Sequence, residues 1–441
     1  MALRPLLFLI AYTGAILFAF AFPQVGVWGF VFESNEHPPY KWWGRSMPSI
    51  GDRWSLYIGA VMIAATLLHW NRFKHAQVFS HLQTKLLFLF TLNTILVSFW
   101  AYDFDVSWKE AVDNIKWFAV YICIVRTHSS PKWRSVVLMI YILACVDAGV
   151  ETTLNPRGGR SVARGEGPVT TQGENFLSPH AIALMPLAGA YALTPQTPLV
   201  LRGLLVVGLP CMLNIVAHGQ SRGAFLALLA AALAMLLFSR GRMRMLTILV
   251  LIIGAMLSAR LFHEQFWNRM NTIETYEEDG SATGRIDAWK DAWGLSLNFP
   301  IGYGGECFDR GVRRQSKSTH NMYFECLVAW GFQGTFLWLG YIGVACWNCW
   351  QITRKHYHPR TWRRSRDYLE SFALLVGLIS MLVAAVFLNR MRWELWWVFP
   401  AYVLCIKNCL HQQQIRQRQA QRDALQQQFL TSSSGQQVFY V

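Results

Sequence analysis

Twelve apolar stretches alternate with polar ones along this 441-residue chain, at roughly 5–23, 55–70, 84–101, 111–125, 135–150, 179–194, 198–217, 223–238, 244–260, 322–347, 369–388 and 394–409. Runs of this kind with few charges predict membrane helices. Several fall short of the roughly 20 residues that cross a bilayer, so irregular helices are expected among them. The fold class that follows is an all-α, polytopic membrane protein of about twelve transmembrane helices. Only Arg4 precedes the first stretch and no small-residue cleavage site follows it, so it reads as a helix and not a signal peptide.

The polar intervals are unequal. Threading twelve spans from a cytoplasmic N-terminus leaves three outer intervals of interest: Tyr102–Trp108, Glu151–Ser178 and Leu261–Asn321. The second is Gly-rich and carries Arg157, Arg160 and Arg164. The third, before the tenth span, is too long for a plain connection. Phe262, Phe266, Trp267, Trp289, Trp293 and Tyr303 argue against disorder there. Within it, Arg285, Trp289 and Trp293 recur every four residues and share one helical face. Ser281 or Thr283 would cap that helix, and its tryptophans suit the bilayer surface. Residues 1–410 therefore form one transmembrane domain with 261–321 as its large outer loop. Residues 411–441 form a Gln/Arg-rich cytoplasmic tail. The outer loop 35–51 and the tail carry no functional signal. No period of 20–50 residues repeats.

Composition changes the picture at two points. The net charge of +15 raises nucleic acid as a partner, and the charge distribution removes it. On the threading above, inside segments hold 21 of the 40 basic residues and only Asp367, Glu370 and Asp423 among the acids. That is positive-inside topology, with anionic membrane lipid as a further partner. Of nine cysteines, eight lie in or at the ends of spans and Cys307 is alone in a loop, so no loop disulfide is expected. Cys346-Trp-Asn-Cys349 has no second ligand pair for zinc.

The chemistry gathers at three places. Ser318-Thr-His-Asn-Met-Tyr323 puts an imidazole where the long loop meets a membrane helix. His320 there can act as a general base near neutral pH, with Asn321 as a helix cap or ligand and Glu325 one turn on. The ordinary alternatives are an interfacial His and a buried acid paired within the bundle. His218-Gly-Gln-Ser221-Arg222-Gly223 forms a very short turn between two spans. Ser221 and Gly223 leave room beside an Arg222 fork that suits a phosphate; the alternative is a snorkelling arginine. Gly284-Arg285 precedes Pro300-Ile-Gly-Tyr-Gly-Gly305, whose glycines form either an anion nest or a tight turn. Asp103-Phe-Asp105 has a metal-binding form, but Asp105 or Ser107 as a helix cap explains it more cheaply. Arg164 is counted with the substrate-binding residues.

Together these residues carry a family resemblance. Ser221-Arg222-Gly223 opening a span, Gly284-Arg285 before Trp289, Pro300-x-Gly-x-Gly304, and His320-Asn-x-Tyr323 with Gly331 and Gly334 resemble the O-antigen ligase and polymerase superfamily of bacterial envelope glycan enzymes. Pro23-x-x-Gly26 and Trp108-Lys-Glu-Ala resemble the O-glycosylation ligases found beside exosortase systems. The resemblance implies a helical fold related to GT-C enzymes in the bacterial inner membrane, with its active site on the periplasmic face. It implies an undecaprenyl-diphosphate-linked glycan donor, a glycan, lipid or protein acceptor, and no metal or other cofactor. Arg222 and Arg285 would match the diphosphate-binding arginines and His320 the base. Two guanidinium groups can stabilise a departing diphosphate, and attack opposite it inverts the anomeric centre. A polymerase, a lipid-linked glycan transporter and a non-enzymatic assembly protein are the competing readings. Transporters often carry an internal repeat, which this chain lacks.

Overall fold

A computed structural model describes residues 3–41, 43–44, 47, 53–155, 168, 171, 176–271, 280–312, 318–389 and 391–434. Every regular element among them is helical. The helices are α1 (Leu3–Ala19), α2 (Pro23–Asn35), α3 (Trp54–Leu68), α4 (Leu82–Ser98), α5 (Phe104–His128), α6 (Arg134–Leu154), α7 (Leu177–Leu193) and α8 (Leu199–Gly219). They continue with α9 (Arg222–Phe238), α10 (Gly241–Leu261), α11 (Glu264–Asn271), α12 (Gly280–Asn298), α13 (Met322–His356), α14 (Arg366–Ala384) and α15 (Leu395–Ser434).

Each of the twelve apolar stretches coincides with one of these helices, but twelve full crossings do not follow. Among the described residues, only α6, α8, α10, α13 and α14 are long and apolar enough to span a bilayer by themselves. Five more, α1, α3, α4, α7 and α9, are apolar but shorter. α5 is long, yet carries Asp105, Lys109, Glu110, Asp113 and Lys116 in its first half.

The N-terminal topology needs correcting. α2 is an additional helix, started by Pro23 in its first turn, where the missing N–H costs nothing. It packs between α1 and α3. A Cβ on Gly29 would come within 2.4 Å of the Ala15 Cβ, so only glycine permits that approach. The extra helix reverses α1. Arg4 meets Asp147 at 3.6 Å, near the end of α6. Arg134, at the other end of α6, pairs with Asp367 at the start of α14. Arg4 thus lies at the end of the bundle where α14 finishes, not at the end assigned from charge.

α14 is the central helix, buried along most of its length between α7, α9 and α13. α10 is peripheral, with Ile248, Leu249, Ile252, Ile253 and Met256 exposed, the expected lipid-facing composition. α12 is not a detached surface helix. Its Trp289 stacks on Phe324 at 5.9 Å and its Trp293 meets Phe332 at 6.1 Å, so the tryptophan face covers the start of α13. It begins at Gly280, which puts Ser281 and Thr283 inside the first turn and not at a cap.

Candidate functional site

Three helix ends and one turn converge. Ser221 caps α9, its hydroxyl accepting from the Ala224 N–H at 3.3 Å, and Arg222 is the first helical residue. Gly223 makes room for Phe387, whose Cβ lies 2.6 Å from where a Cβ would be, and not for the arginine. Phe387 belongs to the α14–α15 turn. From that turn Ala385 accepts the Met322 N–H at 2.8 Å, and the Asn389 amide donates to the Ser318 hydroxyl.

The His320 segment is held from all sides. Asn321 caps α13, its Oδ1 accepting from Tyr323 N (2.9 Å) and Phe324 N (3.2 Å). The Trp289 indole donates to the Thr319 carbonyl at 2.8 Å, and the Thr319 hydroxyl reaches Glu325 Oε2 at 3.1 Å. His320 itself has φ 45°, in the left-handed region. The other non-glycine residues with positive φ among those described are Gln220, just before Ser221-Arg222, and Glu306. Such conformations cost about 1–3 kcal/mol each and concentrate where function demands them. Burial, and after it the charge of Arg285, hold the His320 imidazole below its ordinary pKa of 6.5.

The Pro300–Gly305 segment resolves in favour of close packing. Gly331, at φ 72°, interrupts α13. The segment lies against the interruption: Tyr303 N donates to Val328 O (2.8 Å), Gly304 N to Ala329 O (3.0 Å), and Phe332 N to Pro300 O (3.0 Å). Gly305 N donates to the Ser107 hydroxyl at 3.1 Å. The amides of an anion nest are therefore committed elsewhere. A Cβ on Gly302, at φ 96°, would sit 2.6 Å from Ala329 O.

Beside this seam lies a cavity of about 500 Å³, lined by His320, Glu325, Glu110, Glu306, Asp309, Arg310, Asn389 and Arg392 together with Trp330 and Phe176. Arg392 organises it. Its Nε sits 2.9 and 2.7 Å from the Glu110 oxygens, with a further Nη2 contact to Glu110. It also reaches Glu306 at 3.2 Å and Asp113 at 3.8 Å. Burial opposes the Arg392 charge, but these carboxylates outweigh it and hold its pKa above the ordinary arginine range.

The structure thus gathers His320, Asn321, Glu325 and the charge of Arg285. Arg222 opens the adjacent α9. Neither Arg222 nor Arg285 lines the cavity. Arg164, with Arg157 and Arg160, lies outside the described residues. Asp103 is the α5 cap, accepting from Val106 N at 3.2 Å, whereas the sequence reading assigned that cap to Asp105 or Ser107. Ser107 instead shares its hydroxyl with Ser98 at 2.8 Å. Among the described residues, no group of three His, Cys, Asp or Glu is disposed to hold a metal ion. Sequence reasoning missed Arg392, Glu306 and the role of Glu110. The available signal was the cluster of charges in the first half of α5, with arginines in the short turn Asn389–Trp393.

Residues 207–339 match the family model described as O-antigen ligase. The match runs from α8 into α13 and contains Ser221, Arg222, Arg285, His320, Asn321 and Glu325. No curated protein matches the chain.

Proposed function

We propose a specific reaction for this multi-pass membrane protein, whose residues 207–339 match the O-antigen ligase family model. It is a glycosyltransferase that moves a glycan from an undecaprenyl-diphosphate donor to an acceptor hydroxyl. His320 takes the acceptor proton as the oxygen attacks the anomeric carbon. The bond to the diphosphate breaks with its electron pair going to the diphosphate. Arg222 and Arg285 stabilise that developing charge. The configuration inverts, and His320 releases its proton to solvent. No divalent metal takes part.

The observation that carries this reading is His320: strained, lining a cavity, under the field of Arg285, and inside the matched segment. A base of lowered pKa is neutral, and so able to accept a proton, across the physiological range. The test is purified protein with a defined lipid-diphosphate-linked glycan, candidate acceptors and excess EDTA, the product read by mass spectrometry. Transfer under EDTA that His320→Ala abolishes, with donor still bound, supports the reaction over a transporter or an assembly protein. Transfer that stops with EDTA and returns with Mn²⁺ or Mg²⁺ refutes the metal-free mechanism.

The site belongs, on this reading, on the periplasmic face of the inner membrane. Cysteines introduced as Ser281→Cys and Leu3→Cys should both label from outside intact cells, since Arg4 lies at the site's end of the bundle. Labelling of either from the cytoplasmic side of inverted vesicles would contradict it.

A further inference from the structure

The proposed base and the proposed phosphate ligands divide the site. His320 lines the 500 Å³ cavity, whereas Arg222 and Arg285 do not. A base must reach the hydroxyl that it deprotonates. If His320 has that role, the cavity lies on the acceptor's side of it. The volume falls within the roughly 300–1,000 Å³ of small-ligand pockets.

Its wall has the chemistry of sugar recognition. Glu110 and Glu306 are carboxylates bridged by one guanidinium, Arg392, from three separate chain segments. An ionised carboxylate offers about four acceptor positions, so each retains capacity for sugar hydroxyls after Arg392 is bound. Arg392 and Glu306 are 33% and 46% exposed, so both remain within reach of a ligand. The charge balance adds selectivity. Among the described lining residues, the carboxylates Glu110, Glu306 and Asp309 face Arg310 and Arg392 as fixed cations. Like charge across a site disfavours a wrong partner.

Resting on the reading of His320 above, we infer that this cavity is the acceptor subsite. It takes a neutral, hydroxyl-rich sugar, recognised by Glu110, Arg392 and Glu306, and rejects uronates and phosphorylated sugars. The pair Glu306–Arg392 determines acceptor specificity, while Arg222 and Arg285 serve the donor.

The experiment offers methyl hexosides, methyl N-acetylhexosaminides and methyl hexuronides to the full-length protein in nanodiscs with a lipid-diphosphate-linked oligosaccharide. Transferred and hydrolysed glycan are both quantified. Neutral glycosides should be used about tenfold or more better than uronides, the scale of one charge-assisted contact. Glu306→Gln and Arg392→Lys should each lower the ratio of transfer to hydrolysis about tenfold, through a raised acceptor KM. Equal use of uronides, or a ratio unchanged while both products fall together, overturns the subsite. Saturation-transfer NMR with the same glycosides gives a readout independent of turnover. If wild type consumes no donor, the proposed reaction fails; neutral-glycoside binding lost in Glu306→Gln would still uphold the subsite, and no binding would remove it too.

Discussion

Two arginine networks sit at opposite ends of α14 and differ in one respect. At its start, Arg134 pairs with Asp367 and Glu370 at 2.7 Å each, while Arg366 and Tyr191 close on Glu370 at 2.7 and 2.8 Å. Arg134 and Glu370 are each 1% exposed. Beyond the end of α14, Arg392 also binds acids, but its network opens on a cavity shared with His320. Intramembrane charge is a functional candidate by default, and this comparison refines the rule. A closed network fixes how helices dock. An open one has valence left for a ligand. The strained residues Gln220, Glu306 and His320 all lie around the open network or beside Arg222.

The difference can be broken from either side. The largest effect expected is at His320. His320→Ala should cost transfer about 10²–10⁴-fold, the range for a general base, with little change in thermal unfolding. Next comes the closed network. Arg134→Ala strips Asp367 of this partner and leaves Glu370 to Arg366 and Tyr191, and should destabilise by about 3–5 kcal/mol. Unfolding in detergent measures this, and a normal melting profile for Arg134→Ala would end the contrast.

Arg285→Gln sharpens the comparison. It should cost about 10²–10³-fold, as loss of one transition-state charge contact does. It should also move the pH profile. In the proposed mechanism neutral His320 is the active form, so rate should rise with pH through its pKa and then level off. Arg285 lowers that pKa, so its removal shifts the rise to higher pH. Part of the depression remains, because burial is the larger cause. A midpoint that stays put would mean that another group titrates. The smallest effects belong to the caps. Ser221→Ala should cost about 1 kcal/mol of stability, and Asn321→Ala somewhat more, since Asn321 accepts two N–H groups. Chemical denaturation resolves both.

The helices and the His320 loop were legible because their signals are local. Apolar runs marked twelve helices, and the four-residue spacing put Trp289 and Trp293 on one face. What escaped was set by distance along the chain. Arg392 and Glu110 are 282 residues apart, and no local pattern joins them. α2 escaped because it is only 13 residues long, too short for a span, and ends in the polar residues Glu33, Ser34 and Asn35. They are buried instead, with Ser34 donating to Glu394 at 2.7 Å. The glycines of Pro300–Gly305 showed that space was needed, but not that α13 itself was the neighbour.

The interruption of α13 at Gly331 has a mechanical consequence. Its first turns, which carry Asn321 and Glu325, are joined to the rest of the helix through a left-handed residue, and the Pro300–Gly304 strap bridges the break. Any tilt of those turns against the rest of the helix would act at this seam. The strap would have to peel away first, so the amides of Tyr303, Gly304 and Phe332 should exchange hydrogen in one concerted opening. On the proposed reading of His320, stiffness at this seam would govern how fast the loop admits and releases substrate.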